Sequence, residues 1–349
     1  MNKTGSNENM AQLKGSSDAN LRELGRLEEM VGPEWARLVR GVFTNPLSIV
    51  GLILVSSFIL IAAFAPVLAP PLTTLGDPYL IPRDGYSPEP KPPGTVWQHD
   101  IPPIPFWYQA VTGNEEWVHL LGTTSGQFDI YYGIIWGTRT ALFVGVFITA
   151  VTVVIGLFVG AISAYYGGWV DDLLMRITEI FMAFPFLLAA LTLSAILVPL
   201  FGRGIWPATI ALVCFGWMTY ARVLRAEILS AKERDYALAA RVLGAKDSRI
   251  LARHIVPNAI YPILVLASMR VGDYVLSFAA LSFLGVGTDI GYADWGQIVS
   301  FARDWILSLD IHWYIIVYPG IALLLFGLGW NLIGDALRDI LDPRLRKGN

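Results

Sequence analysis

Long runs of apolar residues without charged side chains constrain this chain more than any other feature. They lie at about 47–69, 141–165, 180–201, 204–221 and 312–334, and a further run at about 258–286 carries Arg270 and Asp273. A helix of about 20 apolar residues is long enough to cross the hydrocarbon core of a bilayer. The sequence therefore predicts an all-α integral membrane protein with six transmembrane helices.

The composition supports this class and argues against others. Of the 349 residues, 54% are hydrophobic and 15% are charged, which is unusual for a soluble domain. The net charge of −3 gives no reason to expect nucleic acid as a partner. Because Cys214 is the one cysteine, the chain can form neither an intrachain disulfide nor a cysteine-based metal cluster.

Lysine and arginine predict the orientation. They are concentrated before the first span, between the fourth and fifth spans and after the last one, and such loops normally face the cytoplasm. Both termini are therefore expected on the cytoplasmic side of the cell membrane. The predicted order is a cytoplasmic segment 1–46, a first span 47–69, an external loop 70–138, a transmembrane core 139–336 with a cytoplasmic loop 228–257, and a cytoplasmic tail 337–349.

Two segments outside the spans have a distinctive composition. Trp35, Leu38, Val39 and Phe43 recur at helical spacing beside arginines, as in a helix that lies on the membrane surface, although a polar lead into the first span fits equally well. The external loop is dense in proline up to Pro105 and rich in aromatic residues. It is either a folded cap, on which a delivery protein or a sister subunit rests, or a tolerated surface insertion, and the composition favours the insertion.

Three features inside the spans suggest packing or function. Gly156 and Gly160 have the spacing that lets two helices approach closely in lipid. Pro185 is expected to bend its helix, either as a hinge or, more simply, as a packing kink. Arg270 and Asp273 can face each other on one helix. Charges at this depth usually line a water-filled path, so this pair is the candidate lining of a translocation path, and a purely structural ion pair is the alternative.

The segment 233–258 is the most charged part of the second half of the chain. Tyr236, Ala239, Ala240 and Leu243 fall on one helical face. Gly244 can take the left-handed conformation that ends a helix, and Asp247 or Ser248 can cap a second one. The sequence thus predicts a helix, a turn and a second helix. A solvated basic loop would explain the charges, but the small side chains favour docking of a soluble partner.

The order of residues in this segment resembles the EAA motif of ATP-binding cassette (ABC) importer permeases, in the form found in the dipeptide, oligopeptide and nickel class. The matching positions are Asp235, Tyr236, Ala239, Ala240, Arg241, Leu243, Gly244, Ala245, Ile250, His254, Pro257 and Asn258. The resemblance implies a coupling helix that enters a cleft of a cytoplasmic ATPase. It also implies that Asp235, Tyr236, Ala239, Ala240, Arg241, Gly244, Ala245, His254 and Pro257 form the ATPase-coupling site.

Other stretches carry the same resemblance. They are 281–287 (LSFLGVG), Trp295-Gly296, Pro319-Gly320 and 331–344. The element before the second span departs from the family, because Gln127-Phe128-Asp129 stands where a Gly-Arg-Asp is usual. Phe278 occupies a position where the family usually has an acidic residue, so Asp273 is a possible substitute. The class whose pattern fits best is the C-type permease of oligopeptide and dipeptide transporters.

The resemblance implies the type I importer fold and a set of partners. These are a sister permease, two cytoplasmic ATPases that hold ATP and Mg²⁺, an external solute-binding protein and the lipid of the inner membrane. This chain itself is expected to bind no cofactor or metal and to be no enzyme, since it has no Walker loop, HExxH or GxSxG motif. The alternatives are an ABC importer for oligosaccharides or nickel chelates, and an ion-driven secondary transporter, which would show inverted repeats and discontinuous helices.

Overall fold

The computed structural model describes residues 45–72 and 77–341, with backbone alone for 247, 248, 252, 254, 258, 340 and 341. The predicted surface helix around Trp35 and the cytoplasmic tail from 342 lie outside these residues. Regular structure in the described part is helical, joined by a few isolated antiparallel bridges. This confirms the predicted all-α class.

The bundle is formed by helices of very different length. They are α1 (Pro46–Ala63), α2 (Ala65–Leu68), α4 (Ile130–Tyr166), α5 (Gly168–Met182), α6 (Phe186–Phe201), α7 (Ile205–Gly216), α8 (Met218–Lys232), α12 (Tyr261–Phe283) and α15 (Tyr314–Leu341). Asn45 accepts a hydrogen bond from the Leu47 amide at the start of α1, and Asp129 accepts one from the Tyr132 amide at the start of α4.

The shorter helices lie at the two ends of the bundle. At one end are α3 (Phe106–Thr112), α13 (Trp295–Ser300), a 3₁₀ helix (Phe301–Ser308) and α14 (Leu309–His312). At the other end are α9 (Asp235–Val242), α10 (Asp247–Ile250), a π-helical turn (Leu251–Ile255) and α11 (Val256–Ala259).

Five stretches of the described chain are long and apolar enough to cross a membrane, or six if a bent pair counts as one span. The five are Pro46–Leu68, Ile130–Tyr166, Ile205–Lys232, Tyr261–Phe283 and Tyr314–Asp339. The bent pair is α5 with α6, whose axes turn by 86°. The predicted third span, 180–201, is therefore not one straight helix.

Proline explains the break between α5 and α6. Pro185 has no amide hydrogen and disfavours helical backbone in the residue before it. The Ala183 amide still reaches the Glu179 carbonyl at 2.9 Å, but Phe184 makes only a long 3.4 Å bond to Phe181. The chain then restarts at Phe186 as an apolar helix without a side-chain cap.

Two predicted boundaries are wrong. The loop predicted over 70–138 ends at residue 129, because the Asp129 cap starts α4 earlier than the last charged residue, Arg139. The fourth span was expected to end near 221, yet the helix continues to Lys232. Charged side chains on α8 bind neighbouring helices, so the charges that mark the end of the apolar run do not mark the end of the helix.

Two glycines let α4 pack directly on the backbone of α8. A Cβ on Gly160 would lie 2.5 Å from the Ala221 carbonyl oxygen, and one on Gly156 would lie 2.5 Å from the Tyr220 Cβ. Real Cβ atoms do not approach so closely, so the contact requires glycine. The close approach predicted from their spacing is confirmed.

The proline-rich loop folds into a cap, by which we mean residues 70–72, 77–129 and 284–313. Its interior holds large aromatic side chains, and Trp97, Tyr108 and Trp117 are each at most 3% exposed. Backbone hydrogen bonds from Ile81 to Gly291 (2.8 Å) and from Ala293 to Tyr79 (2.7 Å) join its two parts. The loop is therefore folded around a core, as the cap interpretation expects and as composition did not favour.

A buried polar cluster fixes the interior of the cap. The His119 ring lies between two carboxylates, with Nδ1 2.7 Å from Asp129 Oδ2 and Nε2 3.2 Å from Asp84 Oδ2. Burial raises the pKa of Asp84. The hydrogen bonds that its carboxylate accepts from Lys91, the His99 amide and His119 outweigh the effect of burial and hold this pKa well below its usual range. The Asp84 carboxylate is therefore ionised at any physiological pH.

A second buried carboxylate, Asp294, caps α13. It accepts hydrogen bonds from the Gly296 amide (3.0 Å) and the Thr288 hydroxyl (3.1 Å). Burial raises its pKa to about 6, against the lowering effect of these bonds. Unlike Asp84, this group titrates close to neutral pH.

We predict that Gly160→Ala lowers the stability of the bundle by about 1–3 kcal/mol, because the new methyl group meets backbone that cannot rotate away. Gly320→Ala is the matched control, since a Cβ there meets nothing within 4 Å. Melting of the purified protein in detergent measures both. Equal melting temperatures for Gly160→Ala and wild type would contradict the packing argument.

We predict that Asp294 makes the fold more stable as the pH falls. Its folded-state pKa of about 6 exceeds the ordinary 3.8, so the folded protein binds a proton that the unfolded chain does not, and this stability is lost again as the pH rises through 6. The melting temperature of wild type relative to Asp294→Asn should rise between pH 7.5 and 5. Asp289→Asn, which removes an exposed carboxyl from the same turn, should titrate like wild type, and a pH-independent difference for Asp294→Asn would refute the assignment.

Candidate coupling helix and central cavity

The helix α9 is held to the bundle by one face and exposes the other. Ala237 is 1% exposed and packs with Ala240 and Ala245 against apolar side chains of α8 and of the segment after α9, among them Ile228 and Ile250. Val242 and Leu243 are each 86% exposed. Small residues thus bring α9 close to its own bundle, while large apolar residues point away from it.

This arrangement corrects the predicted face. Ala240 and Ala245 pack inward, whereas Asp235, Tyr236, Ala239, Arg241 and Gly244 lie on the exposed side. The predicted stripe of Tyr236, Ala239, Ala240 and Leu243 therefore does not form one docking face. Helical spacing alone could not show this, because alanine fits either side of so short a helix.

The turn after α9 is a Schellman motif. The Gly244 amide donates to the Arg241 carbonyl (3.0 Å) and the Ala245 amide donates to the Ala240 carbonyl (3.1 Å), which is the bond pattern of that motif. It requires left-handed backbone, and Gly244 has φ +79°. The predicted helix end at Gly244 is confirmed.

The second helix of the segment is irregular. It passes from α10 into a π-helical turn, where the Val256 amide reaches the Leu251 carbonyl, and then into α11. Pro257 in α11 is exposed and has no amide hydrogen, which explains the wider turn before it. The His254 side chain lies outside the described residues.

Ionic contacts join α5 to α8. The Arg225 guanidinium binds Asp171 through two hydrogen bonds of 2.6 and 2.5 Å, and Ser163 donates to the same carboxylate. Three residues away on α8, Arg222 lies 3.4 Å from the Met182 sulfur at the end of α5. The bidentate geometry is the strong form of this contact, so α5 is fixed to α8 up to the break.

A cavity of about 220 Å³ lies where three helix segments meet. Its lining comes from the α5–α6 break, the α7–α8 junction and α12, namely Phe181, Met182, Phe184, Phe186, Phe215, Gly216, Met218, Thr219, Arg270 and Tyr274. The Tyr274 hydroxyl donates to the Gly216 carbonyl at 3.1 Å. A larger apolar groove of about 480 Å³ adjoins it and shares Phe184 and Phe215.

Arg270 and Asp273 form the predicted pair but differ in position. Their charged groups lie 3.6 Å apart, and their side chains are 40% and 51% exposed. Arg270 lines the cavity, whereas Asp273 is not among the described lining residues. Phe278, where the resemblance led us to look for an acidic residue, is buried at 3% exposure.

Several contacts that hold the helices and the cap in place could not be predicted from the sequence. Asp171 and Arg225 are 54 residues apart, and Asp84 and His119 are 35 apart. Because the two residues of each pair are far apart in the chain, no local sequence pattern predicts that they are in contact. A proline flanked by two phenylalanines, Phe184 and Phe186, was the one visible sign of the break that lines the cavity.

Comparison with known proteins shows the family to which this chain belongs. Residues 153–347 match the model of the binding-protein-dependent transport system inner membrane component, and residues 34–84 match the N-terminal transmembrane domain of oligopeptide transport permease C. The chain belongs to this family of transport permeases. It is therefore a multi-pass inner membrane component of an ABC importer, as the EAA-like motif predicted.

Individual relatives agree. The dipeptide permease DppC of Alkalihalophilus pseudofirmus is 34% identical over 89% of this chain and 90% of its own length. The oligopeptide permease OppC of Bacillus subtilis is 34% identical over 87% and 88%. The glutathione permease GsiD of Pectobacterium atrosepticum is 36% identical over 69% and 78%.

A solved structure described as inward-facing conformations of the MetNI methionine ABC transporter covers 59% of this chain and 96% of its own, with 18% identity and a TM-score of 0.47.

The family match also bears on the alternative of a secondary transporter. A discontinuous helix pair is present, as that alternative expects, but family membership assigns it to an ABC permease.

Proposed function

We propose that this chain is the C-type half of the membrane channel of an ATP-driven importer of dipeptides or oligopeptides. The observation that carries the coupling role is α9, which is locked to the bundle by Ala237 and the Gly244 turn while Val242 and Leu243 stay exposed. These two adjacent apolar side chains offer a surface that a partner can cover. The names of the relatives support peptides as the solute.

The partners follow from the family. A sister permease completes the channel, and two ATPases that hold ATP and Mg²⁺ bind from the cytoplasm. A solute-binding protein delivers the solute from outside. The distribution of Lys and Arg supports a cytoplasmic position for both termini and for α9. The cap then lies outside, where its folded surface suits the binding protein.

The contacts of α8 with its neighbouring helices suggest how a movement of the ATPases is transmitted to the translocation path. The end of α8 leads through two residues into α9, and Lys232 at that end hydrogen-bonds the Ala164 carbonyl of α4. The ion pair between Arg225 and Asp171 carries α5 along with α8. Because the helix is interrupted at 183–185, α5 can tilt without α6, and this changes the opening of the cavity.

We predict that Leu243→Asp reduces ATP-driven uptake at least tenfold, since a charge replaces an apolar anchor in the ATPase cleft. Gly244→Val should likewise uncouple ATP hydrolysis from uptake, because a β-branched residue strains the left-handed backbone at this position. Proteoliposomes that contain the whole transporter and a radiolabelled panel of di- to pentapeptides measure uptake and ATP hydrolysis together.

Leu307→Asp is the control, because Leu307 is 99% exposed but lies in the cap. It should retain the ATPases during purification, whereas Leu243→Asp should lose them. Undiminished uptake and ATPase retention in Leu243→Asp would refute the coupling role of α9. Failure of wild type to import any peptide of the panel would refute the peptide assignment.

A further inference from the structure

The central cavity contains one charge. Among its described lining residues Arg270 is the only ionisable side chain apart from Tyr274, and the rest are aromatic, apolar or, at Thr219 and Gly216, small. A guanidinium among aromatic rings attracts anions more strongly than it would in open water, since the surroundings screen its charge less. The cavity therefore favours a negatively charged group.

Most of the hydrogen-bonding capacity of Arg270 is unused within the described residues. Its guanidinium carries five N–H donors, and among the described residues its charged partner is Asp273, at 3.6 Å through a single oxygen. That distance is too long for a good charge-assisted hydrogen bond. Two parallel bonds to a planar carboxylate would satisfy the guanidinium far better.

The position of α6 adds to the positive character. Its first residue, Phe186, lines the cavity, and the helix begins there without a side-chain hydrogen bond to its amides. The amino-terminal end of a helix carries a partial positive charge. Arg270 on α12 and the start of α6 thus act on the same space from different elements.

The size of the cavity indicates what part of a solute it takes. Sites that enclose a whole small ligand usually measure roughly 300–1,000 Å³, whereas this one measures about 220 Å³. It suits one end of an elongated solute better than the whole of it. The rings of Phe181, Phe186 and Phe215 offer apolar contacts for a side chain next to the charged group.

We propose that Arg270 binds the terminal carboxylate of a passing peptide, while the aromatic lining of the cavity holds the apolar side chain of its last residue. This rests on the proposed function as a peptide importer and names the chemical feature that the permease itself recognises. The contact with Asp273, at 3.6 Å, leaves the guanidinium available for such a carboxylate. Selection for a free carboxylate would then occur in the channel itself.

The test compares trileucine with trileucine amide in proteoliposomes of the whole transporter. Wild type, Arg270→Gln, Arg270→Lys and Asp273→Asn are measured with the same binding protein and ATPases, so any change in preference arises in this chain. Arg270→Gln should import trileucine at least tenfold more slowly than wild type. Its rate for the amide should stay within about twofold of wild type.

The two conservative variants separate recognition from structure. Arg270→Lys keeps a point charge but not the planar pair of donors, so it should recover part of the trileucine rate. Asp273→Asn should keep the wild-type preference for the free acid. If Arg270 served only its ion pair, Asp273→Asn would be as slow as Arg270→Gln, and that result would overturn the proposal.

Other outcomes distinguish the proposal from the function on which it rests. Unchanged trileucine uptake in Arg270→Gln, or an equal loss for acid and amide, would overturn carboxylate binding while leaving the importer intact. Absence of ATP-dependent uptake of trileucine and of every other peptide in wild type would instead refute the peptide importer. Each variant must be recovered from the membrane in wild-type amount, which shows that the change lies in transport and not in folding.

Discussion

Inside a bilayer every backbone amide and carbonyl needs a partner, and this constraint explains where the chain can be interrupted. A helix break exposed to lipid leaves polar groups unpaired at a cost of several kcal/mol each. The break at 183–185 instead borders a cavity that also contains Arg270 and the Gly216 carbonyl. Such a break is tolerated because its polar groups face a space that water or solute can enter.

The same constraint makes α8 the connecting element of the molecule. Along one side it lies against the glycines of α4, and through Arg225 it binds the amphipathic helix α5. At one end it leads into α9, and at the other, near Trp217, it reaches the cavity. A displacement of α9 therefore has a continuous physical route, along the 15 residues of α8, to the cavity that Arg270 lines.

The sequence predicted those features that depend on local physics. Apolar runs located approximately the five long spans of the described chain, Gly244 predicted a left-handed turn, and a proline at 185 predicted a bend. An Arg270–Asp273 pair at helical spacing was predicted and is present. Each of these depends on residues close together in the chain, so periodicity and backbone preferences suffice.

Features that depend on distant residues could not be predicted. The composition favoured a tolerated surface insertion, because proline and aromatic content do not reveal that Trp97 and Trp117 lie in a core beside His119. The exposed side of α9 was assigned wrongly because the partners of Ala240, on α8 and beyond Gly244, determine which alanines turn inward. Pro185 likewise predicts a bend but not its angle of 86°, because that angle also depends on how α5 and α6 pack against helices distant in the sequence.

The proposed coupling requires the angle at 183–185 to change when the ATPases close. Spin labels at Leu173 on α5 and Leu188 on α6, which are 49% and 58% exposed, report the distance across the break in the whole transporter. This distance should shift between the nucleotide-free state and a state trapped with a non-hydrolysable ATP analogue. An identical distance distribution in both states, with the ATPases shown to have closed, would contradict it.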